Sequence, residues 1–225
     1  MIKLSPSDFA YLYQDCKYCY YKKIKEGITL PSMPMPGVFA AINTRIQGTL
    51  VNKNLKDLSA DLPDGIIESQ EGWVESGIVP STDVYIKGKY DLLVRQSNDT
   101  YILVDLKISR PNDDHVDKYK SQLGSYHFAL QNPAQGKPIN VTRMGLLIFY
   151  PDIVTFKEGK ANLEFPPKWM EVPVDEKGFL TFAKEVDELL AGSLPKETKD
   201  CKWCLYRHAN GSGAANEDSR EEIPF

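Results

Sequence analysis

Four cysteines constrain this chain more than any other feature. They form two Cys-x-x-Cys pairs, Cys16 with Cys19 and Cys201 with Cys204, and no other cysteine occurs in the 225 residues. Two sulfurs at this spacing reach one metal, and two such pairs complete a four-thiolate set. Zinc and a four-iron, four-sulfur (4Fe-4S) cluster both accept four thiolates. About 180 residues separate the pairs, far beyond a zinc-ribbon spacing, so a shared centre would fasten the two ends of one domain together. The opening Met-Ile-Lys-Leu-Ser-Pro-Ser lacks the basic and then apolar pattern of a secretory signal. A reducing, cytoplasmic location is therefore expected, which favours metal ligation over disulfides.

The length fits one domain, and 42% hydrophobic residues are enough for a proper core. No apolar run approaches the ~20 residues that would span a bilayer. A net charge of −4 argues against a nucleic-acid coat protein. It does not exclude an enzyme acting on nucleic acid, because local charge steers a polyanion and acidic sites lower the total. Lys17, Lys22, Lys23 and Lys25, interleaved with Tyr18, Tyr20 and Tyr21, read as a solvated helix face with its aromatics turned inward. Trp73, Trp169 and Trp203 read as core or as shielding for the cysteines.

Ser5 as N-cap with Pro6 at the first helical position predicts a helix running to about Glu26 and stopping at Gly27. Pro31 to Pro36 reads as a rigid linker. Val38, Ile42, Ile46, Leu50 and Val51 recur at helical spacing and predict a second helix to about Leu55. Residues 57–80 read as irregular, with a short strand near Trp73-Val74. Val84 to Arg95 and Thr100 to Ile108 read as strands joined at Ser97-Asn98-Asp99. A helix over Asp114–Gln131, an apolar and so central strand from Val141 to Tyr150, a strand over Trp169–Val174 and a helix over Phe179–Leu190 complete the core. The sequence predicts a domain over 1–207 and a disordered tail over 208–225. Helices and strands in this order make a mixed sheet flanked by helices, an α/β layer system.

Between the cysteine pairs lies an acidic constellation. Residues two apart in a strand share a face, so Asp105 and Lys107 point the same way while Val104 and Leu106 pack on the other. An aspartate in a nearly apolar strand is costly to bury unpaired, and metal coordination would compensate. Asp91 in the partner strand can supply a second carboxylate, and hard divalent cations take oxygen ligands of this kind. The plain alternative is an Asp105–Lys107 salt bridge on an exposed sheet. Gln122 and Tyr126 share one face of the following helix at i, i+4. None of the three histidines has a nucleophile partner at a suitable place, and no phosphate-binding Gly-rich loop occurs.

Gly88-Lys89-Tyr90-Asp91, Asp105-Leu106-Lys107 and Gln122-Leu123-Gly124-Ser125-Tyr126 together resemble the PD-(D/E)xK nuclease core in its RecB-like, CRISPR-associated form. The resemblance spans roughly residues 5 to 206. It implies a restriction-endonuclease-like fold and a DNA nuclease acting on single-stranded or end-containing DNA. Asp91, Asp105 and the Leu106 carbonyl would hold Mg2+ or Mn2+, Lys107 would position water, and Gln122 and Tyr126 would orient the phosphate or DNA backbone. A helicase or other nucleic-acid-processing partner is implied as well. Members of this kind usually carry a metal-binding histidine in Gly-x-x-x-His, where this chain reads Gly48-Thr49-Leu50-Val51-Asn52. Asparagine is the poorer ligand, which leaves a catalytically weak DNA-binding or scaffold module as the competing reading.

The resemblance also bears on the cysteines. Iron–sulfur members have one N-terminal cysteine and a C-terminal Cys-x-x-Cys-x5-Cys. Cys16, Cys201 and Cys204 match three of those places, Asn210 stands at the fourth, and Cys19 is additional. The total of four is kept, so the resemblance implies a 4Fe-4S cluster with one relocated ligand, with zinc as the alternative.

Overall fold

The computed structural model describes residues 1–29 and 37–211. The expected linker over 31–36 and most of the expected tail, 212–225, lie outside the described residues. The chain begins with strand β1 (Ile2–Leu4), a helical segment α1 (Pro6–Asp8) that widens over Phe9–Tyr13, and helices α2 (Lys17–Glu26) and α3 (Gly37–Gly48). Strands β2 (Ile66–Ile78), β3 (Val84–Arg95) and β4 (Tyr101–Ile108) follow, then helix α4 (Asp114–Gln131) and strand β5 (Val141–Phe149). An exposed hairpin, β6 (Ile153–Lys157) and β7 (Lys160–Glu164), precedes β8 (Pro167–Val172), α5 (Glu176–Ala191) and α6 (Lys202–Gly211).

One mixed sheet holds β1, β2, β3, β4, β5 and β8, and β3 is its most shared strand. β2 runs antiparallel along one edge of β3. The other edge has two partners in succession. β1 lies parallel to Val84–Ile86, and β4 lies antiparallel to Leu92–Arg95. Residues 87–91 fall between those partners, so the sheet forks there.

The sheet is a middle layer with a core on each side, as the α/β order requires. In β4, Leu103 belongs to the cluster under α4 and α5, whereas Ile102, Val104 and Leu106 belong to a second cluster with Leu50, Leu55 and Leu62. β5 divides the same way, with Leu146 and Ile148 on one side and Leu147 and Phe149 on the other. This two-residue alternation puts Asp105 and Lys107 on the α4 side.

Several expectations are corrected. Where the spacing predicts one helix to Glu26, the chain makes two, because Cys16 adopts an extended conformation (φ −161°, ψ 106°) just before α2. Gly27 does end α2, in the left-handed conformation (φ 69°) that glycine takes without strain. α3 stops at Gly48 rather than near Leu55. The stretch read as irregular is β2, the longest strand at 13 residues. Its Glu68, Ser69, Gln70, Glu71 and Gly72 hide the strand signal, and its register shifts between Ile67 and Ser69 and between Glu75 and Ile78. β1, the β6–β7 hairpin and α6 were not foreseen, and α6 extends through positions 208–211 that read as tail. Trp73 is 73% exposed, against its expected place in the core or beside the cysteines. Among the described residues no helix is long and apolar enough to cross a membrane.

Candidate functional site

The fork in the sheet makes the site. A strand residue directs its N–H and C=O to the same edge. Beyond Val104, β4 has lost β3 as a partner, and the Leu106 N–H donates instead to Asp91 Oδ2 at 2.8 Å. The Leu106 carbonyl therefore faces the same gap. On the β3 side, Tyr126 Oη donates to the Lys89 carbonyl at 2.7 Å. Gly88 is where Pro6 and Tyr126 close on the backbone. An added Cβ would stand 2.9 Å from Pro6 Cδ and 3.1 Å from the Tyr126 ring, so this position admits no side chain without movement. Side chains thus satisfy two of the backbone groups that the parting strands leave behind, the Leu106 N–H and the Lys89 carbonyl.

Asp105 is 3% exposed and Lys107 stands beside it, with its ammonium 2.7 Å from Asp105 Oδ2. The contact is a close ion pair rather than an aligned hydrogen bond. Gln122 donates to Asp105 Oδ1 at 2.8 Å, and Gln122 Oε1 is buried with no hydrogen-bond partner. Burial first, and then the charge of Asp105, push the Asp91 carboxyl up to about 7. Burial likewise pushes Asp105 up, outweighing Lys107. Burial alone would pull Lys107 down, but the carboxylate of Asp105 reverses this and keeps the ammonium charged. Two carboxyls, one buried and one half-buried, that resist ionising together suit a divalent cation, whose charge would relieve both.

One face of α4 reads the site in order. Tyr119 meets Lys107, Gln122 meets Asp105, and Tyr126 reaches the fork at Lys89. Both Gln122 and Tyr126, expected to orient the phosphate or DNA backbone, are engaged within the protein. Burial and the two carboxylates push the Tyr126 phenol up and keep it protonated as a donor. Tyr119 and Tyr11 had no sequence signal. The Lys107 ammonium lies 4.4 Å from the Tyr119 ring centre and 5.9 Å from that of Tyr11. The two hydroxyls are 2.9 Å apart. Burial and that hydrogen bond push Tyr119 up to about 12, so the ring meeting Lys107 is neutral. A cavity of about 420 Å³ opens here, lined by Tyr11, Phe39, Asn43, Lys107, Ser109 and Tyr119 among others. A groove of about 580 Å³ beside Trp73, Lys87, Tyr90 and Lys137 contains none of the acidic residues at the fork.

Asn52 is not brought to the carboxylates. It lies past the end of α3 in the left-handed conformation (φ 66°), exposed, and its N–H donates to Ile67. Ile67 pairs with Val94, three residues along β3 from Asp91, which is roughly 10 Å of strand. Asparagine tolerates that backbone conformation better than most residues.

The four cysteines do meet. All are buried, and their sulfurs lie within 4.8 Å of one another. Cys16 and Cys201 immediately precede α2 and α6, and Cys19 and Cys204 lie in the first turns. The positive helix ends therefore face the sulfurs, as suits thiolates. Burial pushes Cys16 up, but hydrogen bonds from Thr198 and Cys19 outweigh it and bring it down to about 6. Arg207, which no motif marked, donates to Cys19 Sγ at 3.0 Å and lies over the Tyr18 ring.

The family described as the PD-(D/E)XK nuclease superfamily matches residues 64–209, which hold the fork, α4 and the second cysteine pair. The chain belongs to the PD-(D/E)XK nuclease superfamily. Its mixed sheet between helices is the fold of that superfamily, and membership points to metal-dependent nuclease chemistry. No curated protein matches the sequence significantly. A solved structure described as "Crystal structure of SSO0001" is similar, with 16% identity over 92% of this chain and 85% of that one and a TM-score of 0.49. The superfamily assignment rests on the family match and not on that likeness.

Proposed function

We propose that this PD-(D/E)XK protein is a deoxyribonuclease of the RecB-like, CRISPR-associated type, using Mg2+ or Mn2+ at the fork. The observation that carries the reading is the half-buried Asp91 beside the buried Asp105, with the Asp91 carboxyl pushed up to about 7 and Lys107 held charged next to Asp105. Two aspartates forced together at the cost of burial gain most from a dication.

Asp91, Asp105 and the Leu106 carbonyl are the ligands in this reading. An ion held there would supply a Lewis acid for a phosphoryl oxygen and would lower the pKa of an attacking water. Lys107, held charged by Asp105, stabilises the negative charge that develops on the phosphorane-like transition state. Gln122 fixes the rotation of the Asp105 carboxylate, and Tyr126 keeps β3 parted from β4. Both act through the ligands rather than on substrate. DNA with single-stranded or free ends is the proposed substrate, and a helicase would be a natural partner, supplying such ends. Residues 1–207 would form the working domain.

The test is cleavage of end-labelled single-stranded, duplex and flapped DNA with Mg2+ and with Mn2+. Metal-dependent cleavage lost in both Asp105→Asn and Lys107→Ala supports the reading. Full cleavage by either pure variant, or no cleavage by wild type under any of these conditions, removes it.

A further inference from the structure

The cysteine sulfurs stand too close together for the centre that the sequence resemblance implies. Cys19 Sγ is 3.6 Å from Cys201 Sγ and 3.7 Å from Cys204 Sγ, and Cys16 Sγ is 3.8 Å from Cys204 Sγ. No pair of sulfurs exceeds 4.8 Å. A tetrahedral ion with metal–sulfur bonds of about 2.3 Å sets its thiolates about 3.8 Å apart. A cubane cluster interposes four irons, one under each thiolate, and its ligand sulfurs stand roughly 6 Å apart. The observed separations fit the single ion. To admit a cluster, the first turns of α2 and α6 would have to part by about 2 Å or more.

We propose that the four cysteines hold one tetrahedral zinc ion rather than an iron–sulfur cluster. The surroundings oppose the spreading that a cluster needs. The cysteines are at most 6% exposed, Trp203 packs against the core beside them, and the Arg207 guanidinium is 4.9 Å from the Tyr18 ring centre. Arg207 also donates to sulfurs from both pairs, Cys19 at 3.0 Å and Cys204 at 3.5 Å, so it bridges the two helix starts. The two pairs have the same local form, with one cysteine just before a helix and the next inside its first turn. Four equivalent ligands of this kind make a closed, structural site with no open position for substrate. Cys19 is then a full ligand, and no relocated cluster ligand has to be invoked. This assignment does not depend on the nuclease reading.

The experiment is a metal and sulfide count on the full chain, expressed with iron and zinc both supplied and purified without oxygen. The expected result is a colourless protein with one zinc per chain and no acid-labile sulfide. Replacement by Co2+ should give the strong visible bands of a tetrahedral thiolate site, and Cys16→Ser, Cys19→Ser, Cys201→Ser and Cys204→Ser should each lose the ion. If the variants fail to fold, the wild-type count still decides. Iron at the site, as one ion without sulfide or four with sulfide and a brown colour, overturns the proposal, and so does a folded wild type holding neither metal.

Discussion

The forked sheet brings two carboxyls together and the cysteine centre four thiols, and the two places compensate for it differently. At the fork part of the compensation is already in the protein. Leu106 N–H, Lys107 and Gln122 all reach the two carboxyls, and these groups sit on strands and a helix whose cores form independently of them. At the cysteines, among the described residues, Arg207, Thr198 and two helix ends assist, and the segments that meet there lie near the ends of the described chain. The fork should therefore keep its shape without a cation, whereas the proposed zinc should be what holds the cysteine centre together. On the proposed readings, one would be a preorganised chemical site and the other a fastening.

The largest expected effect separates activity from stability at the fork. Asp105→Asn should lower cleavage by roughly 10²–10³-fold or more, with little change in melting temperature. A large loss of stability in that variant would show that the fork is itself structural. The converse holds at the cysteines. Cys19→Ser should cost roughly 3–5 kcal/mol of stability in denaturant titration, as expected when a structural metal is lost.

A third effect depends on pH. The folded Asp91 carboxyl is raised from 3.8 to about 7, so its protonated form adds stability that is complete below pH about 4 and disappears as the pH rises through about 7. Metal-free protein should accordingly melt lower at pH 8 than at pH 5. Asp91→Asn should remove that part of the difference and stabilise the metal-free protein by roughly 2–4 kcal/mol at pH 8. Mn2+ should stabilise wild type at pH 8 and not Asp91→Asn. An Asp91→Asn protein less stable than wild type at pH 8 would contradict the strain assigned to the carboxyl pair.

The smallest effect concerns Lys107. Tyr119→Leu should lower cleavage about tenfold by releasing the ammonium, while Tyr119→Phe, which keeps the ring, should restore most of it. Equal activity in the two variants would mean that the ring plays no part in placing Lys107.

The two sites were also unequally legible in the sequence. The fork depends on Asp-x-Lys in a strand of period two and Gln-x-x-x-Tyr on a helix face, and both regularities are local, so the placement of Asp105, Lys107, Gln122 and Tyr126 could be read directly. That Gln122 also binds Asp105 and Tyr126 the Lys89 carbonyl could not be read, because it depends on where β3 leaves β4. Tyr11 and Arg207 were missed for the same reason: each meets its partner only through the fold. Asn52 misled because a helical pattern ran on past Gly48, where the chain had already turned. β2 was hidden by its polar edge residues, and its exposed Trp73 was mistaken for core or for cysteine shielding.

The contrast between a preorganised site and a fastening is tested most directly by native-state hydrogen exchange of wild type, Asp105→Asn and Cys19→Ser side by side. The expected result is wild-type protection throughout Asp105→Asn, with fast exchange in Lys17–Glu26 and Lys202–Gly211 of Cys19→Ser while β4 and α4 stay protected. Protection of both end helices in Cys19→Ser, or its loss around β4 in Asp105→Asn, would contradict the contrast.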